Sequence, residues 1–315
     1  MTKFAFIFPG QGSQFIGMGK DLADAFPAAR EVFQAVDEAL GQDLSGLMWG
    51  GSEDELKLTA NTQPALMAVS VAAMRALEVA SGITTAQAAF VAGHSLGEYS
   101  ALASSGAISV ADCARVLRIR GNAMQAAVPA GQGAMAALLG ATPEQAAELC
   151  AASAQAGVCE IANDNAPGQI VLSGSVAAIE LACERAKDLG IKKAVPLPVS
   201  APFHCSMMQP AADAMAQALA DIAITAPNTS LIANVTAQPT TNPDQIRAQL
   251  VSQVTGQVRW TESVQLLADQ GVALTVEAGA GKVLSVMNRR TARDIEGLSM
   301  GTPEEIEAVA SRLNG

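Results

Sequence analysis

Residues 91–98 read Val-Ala-Gly-His-Ser-Leu-Gly-Glu and contain a G-x-S-x-G pentapeptide at 93–97. An apolar run from Ala88 to Ala92 precedes the pentapeptide, and a helix-competent segment from Glu98 to Ser104 follows it. This order of strand, tight turn and helix is that of a nucleophile elbow, in which the serine hydroxyl projects above the end of a sheet. The alternative is a glycine-flanked turn whose serine only caps the following helix.

The composition excludes several classes of protein. The chain has 315 residues, which is enough for about two domains. Its 19 basic and 30 acidic residues give a net charge of −11, which argues against nonspecific binding of nucleic acid. No apolar run reaches the roughly 18–20 residues of a membrane span, so membrane association is not predicted.

The N-terminal residues and the cysteines predict a cytoplasmic protein. The first apolar run is strand-like and ends at Pro9-Gly10, so it does not resemble a signal peptide. The chain has five cysteines and none forms a C-x-x-C motif, which favours reduced, mostly buried thiols. With only two histidines in the sequence, a metal site is not predicted.

Alternating strand and helix patterns predict an α/β fold with two parts. Residues 1–128 and 201–315 are predicted to form a large α/β-hydrolase-like domain with a mostly parallel sheet. Residues 129–200 show the order β-α-β-β-α-β, which predicts a small ferredoxin-like domain inserted into the large one. In the large domain, residues 258–270 are predicted to be mostly helical.

A serine nucleophile needs a base within hydrogen-bond reach, and histidine is the usual one. His94 immediately precedes Ser95, and adjacent side chains on a tight turn diverge, so we favour a structural role for His94. His204 lies in a loop that leaves the predicted insert, and it is the better candidate for the base. A nucleophilic Cys205 is a weaker alternative, because only His94 would remain to serve it.

A third group would orient the imidazole of the base. Glu277 follows an apolar run at 273–276, as the acidic member of a hydrolase-type triad would. A backbone or side-chain amide carbonyl would serve equally well, and spacing alone does not choose between these possibilities.

Seven sequence blocks, in order along nearly the whole chain, resemble the malonyl-CoA:acyl carrier protein transacylases of type II fatty-acid synthesis. They also resemble the acyltransferase domains of polyketide synthases. The blocks are Phe8-Pro9-Gly10-Gln11-Gly12-Ser13-Gln14, Thr62-Gln63-Pro64-Ala65, Gly93-His94-Ser95-Leu96-Gly97-Glu98-Tyr99, Arg118-Ile119-Arg120-Gly121, Asn165-Ala166-Pro167-Gly168-Gln169, Pro202-Phe203-His204 and Glu277-Ala278-Gly279-Ala280-Gly281-Lys282-Val283-Leu284.

The resemblance implies a role for each matching residue. Ser95 is implied to be the nucleophile and His204 its base, with the backbone N–H groups of Gln11 and Leu96 forming the oxyanion hole. The carbonyl of Gln253 is implied to orient the histidine, which makes Glu277 a weaker candidate for the third group.

Arg120 is implied to hold the free carboxylate of the substrate, and its chemistry supports that role independently. A planar guanidinium grips a carboxylate through two parallel hydrogen bonds. Arg120 lies on the helix face shared by Val116, Ala123 and Met124, which is predicted to point inward. Arg115 and Arg118 on the same segment are predicted to be solvated.

The resemblance also implies the substrates and the partner. Malonyl-CoA acylates the serine, and the phosphopantetheine thiol of holo acyl carrier protein removes the malonyl group, without a metal or redox cofactor. A monomer is expected. Because carrier proteins are typically acidic, docking would need a local basic patch. The candidates are Lys192, Lys193, Arg289, Arg290 and Arg293.

Two other functions remain open on the sequence. A serine hydrolase or thioesterase would use the same elbow with water as the acceptor. A non-catalytic subunit that binds a carrier protein would need neither Ser95 nor His204.

Overall fold

Strand β1, Phe4–Phe8, lies in the middle of a six-stranded sheet and is buried along its whole length. The computed structural model describes residues 2–199 and 201–315. The side chains of Phe4, Phe6 and Phe8 pack into one core, while Ala5 and Ile7 pack into a second core on the other face. Alternate residues of a strand point to opposite faces, so a continuous apolar run fits a sheet that is covered on both sides.

The large sheet has the order β11-β10-β1-β2-β7-β8. Four of its five strand pairs are parallel, and only the pair β7–β8 is antiparallel. The predicted α/β class with a mostly parallel sheet is therefore confirmed. The remaining strands of this sheet are β2 (Phe90–Gly93), β7 (Ser230–Ile232), β8 (Pro239–Thr240), β10 (Leu274–Ala278) and β11 (Glu296–Met300).

A second sheet has the order β6-β3-β5-β4-β9. Its first four strands and two helices follow the predicted order β-α-β-β-α-β between residues 133 and 196. The domain boundaries at 128/129 and 200/201 stay a prediction, and Ser200 lies outside the described residues. The elements are β3 (Gly133–Leu139), α8 (Pro143–Ser153), β4 (Cys159–Ala166), β5 (Gln169–Ser175), α9 (Val176–Arg185), β6 (Lys193–Pro196) and β9 (Val258–Arg259).

The prediction that residues 258–270 are mostly helical is confirmed by α12, but its first two residues are strand. Val258–Arg259 form β9, which pairs in parallel with residues 163 and 164 of β4, and the helix begins only at Trp260. Helical periodicity carries no information about a partner strand that lies about 95 residues earlier in the chain. This pair joins the second sheet to the part of the chain that follows it.

The other helices of the chain contribute buried residues to the two cores on either face of the large sheet. They are α1 (Lys20–Ala25), α2 (Pro27–Leu40), α3 (Leu44–Gly50), α4 (Glu53–Lys57), α5 (Thr59–Ser81), α6 (Gly97–Ser104), α7 (Val110–Ala126), α10 (Gln209–Ala220), α11 (Pro243–Thr255), α12 (Trp260–Asp269), α13 (Val283–Asn288) and α14 (Pro303–Asn314).

Helix α5 is long and apolar enough to cross a membrane by length and composition alone. Of its most hydropathic stretch, 72% is buried inside the protein. The helix contacts α2, α7 and α14, so it occupies the position of a central core helix. Its apolar composition is accounted for by this packing.

Candidate active site

The elbow at the end of β2 holds Ser95 in a strained backbone conformation. Its φ of 53° lies in the left-handed region, which is uncommon for residues other than glycine. A Cβ at Gly93 would collide with the backbone of Gly97, and a Cβ at Gly97 would collide with the carbonyl of Phe8. Both glycines are therefore required by close backbone approach, as the elbow interpretation predicts.

The hydroxyl of Ser95 contacts His204, although 109 residues separate the two in sequence. The distance from Ser95 Oγ to His204 Nε2 is 2.8 Å. The other ring nitrogen, Nδ1, lies 2.9 Å from the carbonyl oxygen of Gln253. A carbonyl only accepts hydrogen bonds, so Nδ1 carries the proton and Nε2 is free to accept from the serine.

Burial keeps His204 neutral. The residue is 4% exposed, and desolvation together with the nearby charge of Arg120 lowers its pKa to about 3. A neutral imidazole is the form that can take a proton from the serine.

His94 points away from the serine hydroxyl. Its Nε2 lies 2.7 Å from Oδ1 of Asn165, and its ring packs edge-on against Trp260. These contacts agree with the structural role that we favoured for His94.

Arg120 is 1% exposed and donates to three neutral acceptors. Its Nη1 lies 2.8 Å from Oε1 of Gln63, and its Nη2 lies 2.9 Å from Oε1 of Gln253 and 3.3 Å from Ser95 Oγ. Among residues 2–199 and 201–315, no carboxylate lies within ion-pair distance of this guanidinium. A buried cation without a direct counter-ion next to a nucleophile is suited to receive an anionic group.

A network behind the serine fixes the elbow. Oδ1 of Asn234 accepts from Ser95 N at 2.8 Å, and its Nδ2 donates to Gly93 O at 2.7 Å. Nε2 of Gln253 donates to Ser95 O at 2.9 Å and to Glu98 Oε2 at 2.9 Å. Glu98 Oε2 also accepts from Asn234 N at 3.0 Å, and burial raises the pKa of Glu98 to about 7.

The backbone N–H groups of Gln11 and Leu96 have no hydrogen-bond acceptor among the described residues. Leu96 is the N-cap of α6, so its N–H lies at the positive end of a helix dipole. Both residues line the same cavity as Ser95. This arrangement leaves two donors available for a developing oxyanion.

The cavity has a volume of about 480 Å³. Residues that follow β1 and β2 line it on one side, and residues of β3, β4 and β5 in the second sheet also line it. It brings together five of the six predicted site residues, and Gln253 lies directly behind it. The lining residues that carry the argument are Gln11, Gln63, Ser95, Leu96, Arg120 and His204.

Glu277 does not take part in the site. Its carboxylate accepts from the backbone N–H groups of Leu284 and Ser285 at 3.0 and 2.7 Å, where α13 begins. Glu277 as a triad member is therefore a wrong interpretation, because this side chain satisfies the open N–H groups at a helix start. The thiol of Cys205 contacts the carbonyl of Pro202 at 3.1 Å, and burial raises its pKa.

The prediction of solvated arginines is wrong for Arg118. Its guanidinium is partly buried and its Nη2 donates to Gln42 Oε1 at 2.6 Å. Arg115 is exposed and pairs with Asp112 at 3.0 Å, as expected.

Comparison with known proteins agrees with this geometry. The family model described as "Acyl transferase domain" matches residues 5–307. The chain belongs to the acyl transferase domain family. The chain is 44% identical to the malonyl CoA-acyl carrier protein transacylase of Bacillus subtilis (strain 168), over 99% of this chain and 98% of that protein. The resemblance described from the sequence blocks is therefore confirmed.

Solved structures of acyl transferases have the same fold over nearly the whole chain. The acyl-carrier-protein-S-malonyltransferase from Bartonella henselae is 53% identical, with a TM-score of 0.97 over 99% of this chain and 100% of that one. A malonyl-transacylase solved in complex with a type II PKS acyl-carrier protein is 39% identical, with a TM-score of 0.95 over 99% and 100% of the two chains.

Sequence reasoning missed several polar residues of this acyl transferase site. Gln63 and Asn165 lie in the sequence blocks that resemble the transacylases, but the sequence did not indicate a function for either side chain. Asn234 follows β7, and a polar residue at the carboxyl end of a parallel strand next to the elbow strand was a usable signal. Glu98 completes the elbow motif, and only the structure shows that its carboxylate joins the network.

Metal ligation was not predicted, and the described residues contain no group of three or more His, Cys, Asp or Glu side chains able to hold a metal ion. Two polar atoms of the site, Glu98 Oε1 and Arg120 Nε, are buried without a hydrogen-bond partner in the described part of the chain.

The lowered pKa of His204 leads to a prediction for the pH profile. We expect kcat/KM for malonyl-CoA to show no inflection near 6.5, the ordinary histidine value, because the free enzyme's base is already neutral there. An acid limb is expected only below about pH 5. Initial rates from pH 4.5 to 8 check this.

Glu98 provides the control for that profile, because its own pKa of about 7 falls in the same range. An inflection that vanishes in Glu98→Gln belongs to Glu98. An inflection near pH 6.5 that persists in Glu98→Gln would contradict the lowered pKa of His204. The unfolded chain binds a proton at His204 below pH 6.5 that the folded chain does not, so the His204 contribution to stability falls as pH drops from 6.5 toward 3. The raised pKa of Glu98 acts in the opposite direction between about 7 and 4.5, so the net loss of stability is expected only below about pH 4.5.

Removal of the Asn234 side chain is expected to lower kcat more than it raises KM. Asn234→Ala leaves Ser95 N–H and Gly93 O without partners, so the strained elbow relaxes and the hydroxyl shifts. A displacement of about 1 Å can cost roughly 10²-fold in rate. Steady-state kinetics with malonyl-CoA measure the two constants separately.

Two variants make this test specific. Asn234→Asp keeps the acceptor for Ser95 N–H and should retain more activity than the alanine variant. Asn228→Ala removes an exposed asparagine near the other end of β7, where its Oδ1 accepts from Thr85, and should leave kcat unchanged. Equal kcat in Asn234→Ala and the native chain would refute the positioning role.

Proposed function

We propose that the chain transfers a malonyl group from coenzyme A to the phosphopantetheine thiol of acyl carrier protein through an ester on Ser95. The observation that carries this proposal is the position of Ser95 Oγ, 2.8 Å from His204 Nε2 and 3.3 Å from Arg120 Nη2. The nucleophile thus lies between its base and a buried cation. The names of the relatives support the same reaction.

In the first half-reaction, the hydroxyl oxygen of Ser95 attacks the thioester carbonyl of malonyl-CoA while His204 Nε2 takes the proton. The carbonyl of Gln253 stabilises the imidazolium that forms by accepting from Nδ1. The C–S bond then breaks, His204 returns the proton to the leaving sulfur, and coenzyme A departs as the thiol. A malonyl-serine ester remains on the protein.

The tetrahedral intermediate places negative charge on the former carbonyl oxygen. The N–H groups of Gln11 and Leu96 are our candidates for the oxyanion hole, since both face the cavity without an acceptor. Each donor of this kind contributes roughly 10²- to 10³-fold in rate.

Arg120 selects the acyl group by its charge. The malonyl carboxylate replaces the neutral amides of Gln63 and Gln253 as an acceptor for the guanidinium, which then gains an ion pair in a dry environment. An acetyl group offers no such partner and leaves the buried cation uncompensated.

In the second half-reaction, the phosphopantetheine thiol of acyl carrier protein attacks the ester, and His204 takes the thiol proton and returns it to Ser95. The exposed basic residues are candidates for docking the carrier, and Arg290, two residues after α13, donates from Nη1 to Gln169 Oε1 at 2.9 Å. They are Lys192, Lys193, Arg289, Arg290 and Arg293.

We further propose that the chain needs no cofactor beyond its substrates and works in the cytoplasm as a monomer. The relatives are named for transfer of a malonyl group between coenzyme A and acyl carrier protein. Moving an acyl group from one thiol to another involves no oxidation or reduction. The net charge of −11 favours solubility in that compartment.

Release of coenzyme A with and without carrier protein tests the function. The transferase predicts one equivalent of coenzyme A per chain from malonyl-CoA alone, and continuous release once holo acyl carrier protein is added. The apo carrier, which lacks the thiol, is the matched control. Continuous release without any carrier would show a thioesterase, and no release at all would show a non-catalytic subunit.

A further inference from the structure

A pair of cysteines outside the active site has the geometry of a redox site. The sulfurs of Cys150, near the end of α8, and Cys159, at the start of β4, lie 3.7 Å apart. Both thiols are free in this structure. Cys113 and Cys205 differ from this pair because both are fully buried. The Cys113 sulfur lies 3.5 Å from the carbonyl oxygen of Tyr99, and the Cys205 sulfur lies 3.1 Å from that of Pro202.

The pair lies close to solvent, and its two thiols differ in acidity. Cys150 is half-buried, so a small oxidant can reach the pair from its side. A hydrogen bond between the sulfurs lowers the pKa of the Cys159 thiol and raises that of Cys150. The thiolate is the nucleophilic form, so one sulfur can attack an oxidant while the other resolves the product.

We propose that Cys150 and Cys159 form a reversible disulfide when the protein is exposed to hydrogen peroxide. The Cys159 thiolate attacks one oxygen of hydrogen peroxide, which forms the S–O bond of a sulfenic acid and breaks the O–O bond, and the departing hydroxide takes a proton to become water. The Cys150 sulfur then attacks the sulfenic sulfur, which forms the S–S bond and breaks the S–O bond, and the leaving hydroxide takes the Cys150 thiol proton to become the second water. Two thiols are oxidised and one peroxide is reduced.

The cysteine pair is connected to the catalytic histidine through Glu160 and Ser206. Glu160 directly follows Cys159, and its carboxylate accepts from Ser206 N at 2.9 Å and from Ser206 Oγ at 2.5 Å. Ser206 lies two residues after His204. Closing the sulfur distance from 3.7 Å to the roughly 2.05 Å of a bond shifts the start of β4 and therefore this contact.

Peptide mass spectrometry tests the disulfide without any assay of activity. The full chain is treated with hydrogen peroxide, its remaining thiols are blocked with N-ethylmaleimide, and it is cleaved after glutamate. Glu148 and Glu160 bound a peptide, 149–160, that contains both cysteines, whereas Cys183 falls on a separate peptide, 181–184. We expect peptide 149–160 to lose two hydrogen atoms and to regain them with dithiothreitol.

Variants separate the pair from general oxidation. Cys150→Ser should abolish the mass loss, and Cys183→Ser should leave it unchanged. A peptide that stays fully blocked, or one that carries sulfinic acid in place of the disulfide, would overturn the proposal.

Activity of the oxidised protein tests the connection to His204. We expect a loss of about tenfold in malonyl transfer, within the roughly 10² that a 1 Å displacement costs, with full recovery under dithiothreitol and no loss in Cys150→Ser. If the disulfide forms but malonyl transfer is unchanged, the redox site stands and its connection to His204 is refuted. The mass readout holds even if the proposed transfer reaction is wrong.

Discussion

Replacing Arg120 with alanine is expected to lower kcat/KM for malonyl-CoA by about 10²- to 10³-fold and to spare acetyl-CoA. Loss of one partner from a buried ion pair costs about 3–5 kcal/mol, and each 1.4 kcal/mol is roughly tenfold in rate. Arg120 is 1% exposed and has no direct counter-ion among the described residues, so the substrate carboxylate is the partner that is lost. Rates with the two coenzyme A esters measure the selectivity.

Two further variants on the same helix test whether the loss of selectivity is specific to the guanidinium of Arg120. Arg115→Ala removes an exposed arginine paired with Asp112 and should change neither substrate's rate. Arg120→Lys keeps a positive charge but loses the planar fork, so it should fall between the native chain and Arg120→Ala. Equal losses for malonyl-CoA and acetyl-CoA in Arg120→Ala would show a general structural role for this arginine.

Replacing Ser95 with alanine is expected to lower kcat by about 10⁵- to 10⁶-fold, because the covalent route is lost entirely. His204→Ala should cost a similar factor, since the hydroxyl then has no base within reach. The two residues act as one unit, so the double variant should be no slower than either single one. Single-turnover rates with malonyl-CoA check all three proteins.

A serine on the next helix turn is the control for these losses. Ser100 lies on α6 and is buried away from the cavity lining, so Ser100→Ala should keep the native rate. A double variant whose loss equals the product of the two single losses would contradict a Ser95–His204 unit.

The sequence predicted the elements that depend on local pattern. The elbow was recognisable from its two glycines, although only Gly93 is required by a contact within the turn and Gly97 is required by the carbonyl of Phe8 on β1. Arg120 was placed inward from helical spacing, and its burial agrees with that prediction. The mostly parallel sheet followed from alternating strands and helices, which leave few other arrangements.

Other features depended on groups that a sequence does not mark. The third group turned out to be a backbone carbonyl, that of Gln253, and every residue carries one. Glu277 looked like an acid after a late strand, yet its carboxylate caps α13. Strand β9 depends on a partner far away in the chain, and the partial burial of Arg118 depends on Gln42, 76 residues earlier.

Intact mass spectrometry of the chain mixed with malonyl-CoA tests the central claim most directly. A covalent transferase predicts one malonyl adduct per chain, absent in Ser95→Ala, and its discharge when holo acyl carrier protein is added, with the malonyl group recovered on the carrier. An adduct that persists in Ser95→Ala, or transfer to the carrier without any adduct on rapid acid quench, would contradict the malonyl-serine intermediate.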